Sequence, residues 1–134
     1  MQAELQRVVY AADQAEIQAF SSLNPIFLQG SYTGDILNSY ILLLNQLRQE
    51  GVVMVNTLHN FQFHGASVTR NGQRAEVRVT ERWSSNFMNA QGRCVSHYHE
   101  HDVPQTSFLR RAGSSWLIYN VKQESEEPTM AQCH

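Results

Sequence analysis

The apolar residues of this chain change their spacing at Gly51, so helices must come first and a sheet after. Before it they recur at steps of three and four; after it they alternate. Leu5, Val8, Ala12 and Ala15 or Ala19, with Val9 and Phe20 beside them, share one side of a helix. Its other positions carry Gln, Glu and Arg. No Gly or Pro interrupts residues 1–23, so the pattern predicts a helix of about five turns. Ser21, Ser22, Asn24 and Pro25 close it. The stretch 24–34 stays open between a loop and one short helical turn through Ile26, Phe27 and Leu28. A second helix is expected with Asp35 as its N-cap. Leu37, Tyr40, Ile41, Leu44 and Leu47 form its stripe, widened by Ile36 and Leu43. Arg48 complements the dipole at its end, and Gly51 is placed to stop it.

After Gly51 the period is two. Val53, Val55, Thr57, His59, Phe61 and Phe63 alternate with Val52, Met54, Asn56, Leu58, Asn60 and Gln62. Asn71-Gly72 signals a hairpin. In the next strand Ala75, Val77, Val79, Glu81 and Trp83 face one way, and Arg74, Glu76, Arg78, Thr80 and Arg82 the other. Asn89 to Gly92 turns the chain into a long strand, from Arg93 towards Arg111. Pro104 interrupts it and predicts a bulge or bend, because proline cannot donate to a ladder. A turn at 112–115 leads to a last strand, Trp116 to Lys122. Successive short turns make a meander. The expected class is α+β: N-terminal helices packed in a strongly bent, mainly antiparallel four-stranded sheet, with a pocket at its open end.

At 134 residues, with 42% hydrophobic, the chain fits one domain, expected over 1–123, followed by a polar tail over 124–134. Only 16% of residues are charged and the net charge is −2, which argues against a disordered chain and against a basic nucleic-acid binder. The longest apolar run, Tyr40 to Leu44, is far short of the ~20 residues of a membrane span. The start, Met1-Gln2-Ala3-Glu4, lacks the pattern of a signal peptide. Cys94 and Cys133 have no motif spacing, so no bridge between them is expected and a reducing cytoplasm fits.

The order helix, helix, meander resembles the NTF2-like superfamily of cone-shaped α+β domains, over nearly the whole chain from Leu5 to Val121. The segment Phe108-Leu109-Arg110-Arg111-Ala112-Gly113-Ser114-Ser115-Trp116-Leu117-Ile118 resembles that superfamily's final hairpin. With Arg74-Ala75-Glu76-Val77-Arg78-Val79 it is also similar to the C-terminal domain of chloroplast-division and mitochondrial-import proteins. The resemblance implies architecture. The superfamily includes steroid isomerases, dehydratases and polyketide cyclases beside transport and scaffold modules, so function has to come from the site.

Glu81 is the one acid on the apolar face of its strand. A carboxyl there suits general acid-base work, and isomerase-type relatives use a pocket carboxylate with hydroxyl donors; Tyr32, Tyr40, Tyr98 and Tyr119 are available. The other reading is a bulge that turns Glu81 to solvent or to an arginine. His59 shares a face with Val55, Phe61 and Phe63. It is read either as a proton partner of Glu81 or as a buried, neutral, hydrogen-bonded histidine. Trp83, Phe61, Tyr40, Tyr98 and Trp116 are the expected ligand-binding side chains.

His97, His99 and His101 fall at alternate positions, so they are expected on one face, with Tyr98, Glu100 and Asp102 on the other. Imidazole suits zinc, but alternate strand residues lie ~6.6 Å apart and no ligand from a second strand is nominated. No metal and no cofactor are therefore expected, and a polar or dimer-facing strand is the alternative. Phosphate-loop, dinucleotide and Gly-x-Ser-x-Gly patterns are absent. Arg74, Arg78 and Arg82 read as a solvated face with cross-strand pairs, or as a site for an anionic partner. The expectation is a non-catalytic, cytoplasmic homodimer, paired through the sheet face and holding a small apolar ligand or partner segment, with no nucleic acid and no membrane as partner. The alternatives are an isomerase, dehydratase or cyclase using Glu81, and a protein-interaction scaffold.

Overall fold

The computed structural model of the chain describes residues 1–124 and 129–133. Residues 125–128 and 134 of the expected tail lie outside the described residues. Helix α1 spans Gln2–Ser22, a 3₁₀ turn Pro25–Leu28 and helix α2 Gly34–Glu50. Four long strands follow: β1 Val52–Val68, β2 Arg74–Asn89, β3 Cys94–Ala112 and β4 Ser115–Gln123. A short fifth strand, β5, is Met130–Ala131. The sheet runs β1-β2-β3-β4, all antiparallel, with β5 added to β3. It curls around the helices without closing. The class is α+β as expected, with the fifth strand an addition to the expected four.

The helix ends follow local chemistry. Leu23 stops α1 in the left-handed region, φ 54°, and Asn24 N donates to Ala19 O at 3.0 Å. Asn24 Oδ1 accepts from Ile26 N, which turns the chain into the 3₁₀ segment. The cap of α2 is corrected: Thr33 holds that position, and Asp35 sits in the first turn, where its charge still suits the dipole. Gly51, φ 69°, ends α2 as expected. Between the helices, Thr33 N donates to Ile118 O and Ile118 N to Ser31 O. This clamps the linker to β4 and fixes Tyr32 over the sheet.

The inner face of β2 carries Ala75, Val77, Val79 and Glu81, all buried. Leu5, Val9 and Phe20 of α1, Leu44 and Leu47 of α2, and Leu109, Trp116 and Ile118 of the sheet complete the core with them. Strands of 16 to 19 residues cannot stay flat over a core this small. They break register between Leu58 and Asn60, Phe63 and Gly65, Trp83 and Ser85, and Phe108 and Leu109. Bulges of this kind bend and twist a sheet. The expected bulge at Pro104 is corrected. Pro104 stays in register with Thr80, and its carbonyl accepts from Glu124 N where β4 ends. The N–H it lacks would have pointed to that same side, past the last paired residue of β4.

The expectation for the cysteines is also corrected. β4 pairs with β3 only from Gln105 on, which leaves the earlier edge of β3 open. β5 fills it, His97 opposite Ala131 and Tyr98 opposite Met130. This brings Cys133 to Cys94, where they form a disulfide with Cα atoms 5.7 Å apart. Long sequence separation hid the pair, and the argument for a reducing cytoplasm loses its premise. Among the described residues, no helix is long and apolar enough to cross a membrane.

Candidate functional site

A cavity of about 310 Å³ lies between the two helices and the inner face of the sheet. Val9, Phe20, Leu43, Val103, Ile118 and Val121 give it apolar walls. Its polar groups include Asp13, Glu16, Glu81, Tyr32, Tyr40 and Gln105, with Asn56, Ser85, Tyr98, His101, Ser107 and Gln123 beside them. Among the described residues no Lys or Arg lines it.

The polar groups are arranged around Glu81, which is 1% exposed. Its Oε1 accepts from Trp83 Nε1 at 3.0 Å and from Gln105 Nε2 at 2.9 Å. Gln105 Oε1 in turn accepts from Gln123 Nε2 at 3.4 Å. The other oxygen, Oε2, has no such donor, and neither has the buried Oδ2 of Asp13 on α1. The two carboxyls lie against each other, and each can serve as the other's hydrogen-bond partner. Two carboxyls can do that only when one carries a proton. Burial, first, and then the hydrogen bond and charge of Glu81 hold Asp13 far above the usual carboxylate range, so Asp13 keeps the proton.

Glu16 sits one helical turn on. Burial raises it to about 7, the Tyr40 and Tyr32 hydroxyls that bond to it lower it, and the charge of Glu81 raises it again. Its residual surface faces the cavity, which it lines. Burial, and then Glu16, push both tyrosines well above their ordinary value, so they stay neutral donors. Their rings meet edge to face at 5.1 Å. The result is three carboxyls and two neutral hydroxyls lining one cavity, with Asp13 protonated and Glu16 titrating near neutrality.

The alternation of β2 put Glu81 inside, and it is there. Trp83, Tyr40 and Tyr98 line the cavity; Phe61 and Trp116 do not. Phe61 packs edge to face on Tyr10 at 5.4 Å, and Trp116 lies in the core under the Arg111 guanidinium, 4.5 Å from the ring centroid. The expected face of His59 is corrected. It is the extra residue of the first bulge, so the inner set shifts from Met54 and Asn56 to Phe61 and Phe63 across it. His59 points outward instead, Nε2 2.7 Å from Ser84 Oγ and Nδ1 3.1 Å from Glu100 Oε1. Arg82 holds the same Glu100 at 2.6 Å and Asp102 at 3.1 Å, so this part of the arginine row is a cross-strand network. The three alternate histidines do not share a face. The bulge opposite Ser84 turns His101 into the cavity beside Tyr98, while His97 and His99 stay outside it.

Asp13 and Glu16 were missed because they read as polar filler on α1. Their signal was present: Val9, Asp13, Glu16 and Phe20 follow steps of four, three and four, on the stripe that faces the core.

No family model matches the chain, and no curated protein matches its sequence. Among solved structures, the intermembrane space region of the chloroplast protein ARC6 is similar in fold, with a TM-score of 0.81 at 17% identity. The match covers 91% of this chain and 95% of that one. It agrees with the resemblance read from residues 74–79 and the final hairpin, and the architecture is compatible with an NTF2-like cone.

Proposed function

We propose that this domain is a non-catalytic module that holds a small amphiphile in its cone. The observation that carries the reading is the 310 Å³ cavity, lined by apolar side chains and three carboxyls, with no Lys or Arg among the described residues. That volume is at the small end of ligand pockets, which run from about 300 to 1,000 Å³. A ligand with a hydrogen-bond-donating or cationic head would face Glu16 and Glu81, with its body on Phe20, Leu43 and Ile118. A carboxylate head would meet the charge of Glu81 and, above about pH 7, that of Glu16, and be rejected. The likeness in fold to one region of ARC6 is consistent with a module of this kind.

The test is a thermal-shift comparison of hexylamine, hexanol and hexanoate, with Trp fluorescence as the second readout, since Trp83 lines the cavity. Hexylamine and hexanol should stabilise the domain by about 1.4 kcal/mol at ten times Kd and perturb the emission; hexanoate should do neither. Equal behaviour of hexylamine and hexanoate, or no response to any of the three, would sink the reading. A homodimer through the outer sheet face, which carries the exposed Val55 and the Arg82 network, belongs to the same proposal. Light scattering at micromolar concentration should give twice the chain mass, and monomer alone would refute it.

A second reading has its own observation. Glu16, near 7 and flanked by two neutral tyrosine hydroxyls, is poised as a general base for isomerase- or cyclase-type proton transfer. It fits that role better than Glu81, whose Oε1 is occupied by Trp83 and Gln105. Deuterium exchange into an enolisable cyclic ketone, lost in Glu16→Gln, would support it; no exchange by the unaltered protein would end it.

A further inference from the structure

The strand β5 brings a second chemistry to the outside of the sheet. Cys94 Sγ, a ring nitrogen of His97 and Cys133 Sγ all lie within 4.8 Å of one another, and all three residues are half-buried. Cys94 and His97 come from one stretch of β3, and Cys133 from the chain just beyond β5, which hydrogen-bonds to that stretch. The ligand from a second strand that a row of histidines lacks is therefore supplied by a cysteine. His99 steadies the arrangement, with its Nδ1 3.3 Å from His97 Nε2 and the two rings edge to face at 4.6 Å.

Two sulfurs and an imidazole are a zinc donor set. With Zn–S near 2.3 Å and Zn–N near 2.0 Å, the donors of a tetrahedral site stand roughly 3.5–3.8 Å apart, within the spread found here once the sulfurs separate. As a disulfide the sulfurs cannot serve as thiolates. Reduced, they become two neighbouring thiols on a paired backbone, and a cation between them relieves the repulsion that ionising both would cause.

We infer that Cys94, Cys133 and His97 form a redox-gated zinc site, closed as a disulfide and opened by reduction. A dithiol reductant donates two electrons and two protons to the S–S bond and is itself oxidised to a disulfide, leaving two thiols here. Zinc then displaces both thiol protons to solvent and takes His97 as its third protein ligand, with the fourth position left to water. In either state a bond across the two cysteines keeps β5 on the edge of β3.

The test uses the full chain, reduced with a phosphine and compared with the oxidised form. Titration with Co²⁺ should give thiolate-to-cobalt charge-transfer absorption and the strong visible bands of a tetrahedral ion in the reduced chain only. Zn²⁺ should displace the cobalt at one equivalent. Calorimetry should show the oxidised chain binding Zn²⁺ at least about 100-fold more weakly. Cys133→Ser should lose most of the charge-transfer band. His97→Gln should weaken zinc by about 10-fold or more, and His101→Gln, whose side chain lines the cavity, should bind like the unaltered chain. The inference is overturned if the reduced chain shows no thiolate band, if oxidation leaves zinc affinity unchanged, or if His101→Gln rather than His97→Gln removes binding. Circular dichroism of each variant separates a lost site from a lost fold.

Discussion

Glu81→Ala is expected to destabilise the domain by about 2–4 kcal/mol, the cost of leaving buried polar groups without partners. The substitution strips the acceptor from Trp83 Nε1 and Gln105 Nε2 and removes the partner of the Asp13 proton. Asp13 cannot turn to bulk water, since it is 2% exposed, and half-buried Trp83 loses the acceptor that holds its indole in the cavity wall. Gln105 can recover in part, through Gln123. Glu81→Gln should cost far less, because its carbonyl still accepts from Trp83 and Gln105 and its amide can bond to Asp13. Urea unfolding of both variants measures the contrast. Equal midpoints for Glu81→Ala and the unaltered protein would show that this cluster holds nothing together.

The helices, the meander and the inward face of β2 were legible because each rests on one unbroken period. β2 shows it best: from Ala75 to Trp83 the alternation runs without a bulge, and Glu81 is where the pattern puts it. β1 and β3 break the period partway. A single extra residue moves every later side chain to the other face, and nothing in the composition around His59 or His99 marks the insertion. This is why the alternation puts His59 on the face of Phe61 and Phe63, whereas it lies with Ser84 and Glu100. It is also why three alternate histidines separate into one inside and two outside.

The chemistry of the site was legible on the sheet and not on the helix. An acid on an apolar strand face stands out; acids on a helix do not, because a surface helix is expected to carry them. Asp13 and Glu16 are distinguished only by phase, and the phase matters once the sheet supplies a third carboxyl to face them. The cysteine pair was hidden for another reason. Its contact depends on β5, which exists because β4 stops short along β3, a fact of three-dimensional length that the pattern of either strand does not contain.

The proton inventory of the cluster predicts that the domain loses stability as pH rises towards neutrality. Glu16 goes from 4.5 in an ordinary setting to about 7 here, and Asp13 is raised much further from 3.8. Raised values mean that the folded form binds more protons than the unfolded one, so the slope of unfolding free energy against pH is negative. The contribution is fully present below about pH 4. The Glu16 part fades between roughly 4.5 and 7 and levels off, and the Asp13 part keeps falling at higher pH. With the Glu16 shift alone, the loss between pH 5 and 7.5 is about 1–3 kcal/mol, the lower figure allowing for water in the cavity. Glu100, lowered by the Arg82 hydrogen bond, runs the other way, but it is exposed and its effect is confined to acid. Asp13→Asn separates the causes. Its amide can donate to Glu81 without a titrating proton, so its stability should fall less steeply with pH. The cost is one N–H for which the buried site offers no acceptor. The curves should therefore cross, with the variant less stable near pH 5 and more stable near pH 8. Glu16→Gln should flatten only the part between 5 and 7. Chemical denaturation at a series of pH values decides it: a midpoint that is flat or rising from pH 5 to 7.5 in the unaltered protein would mean that the cluster does not hold its protons.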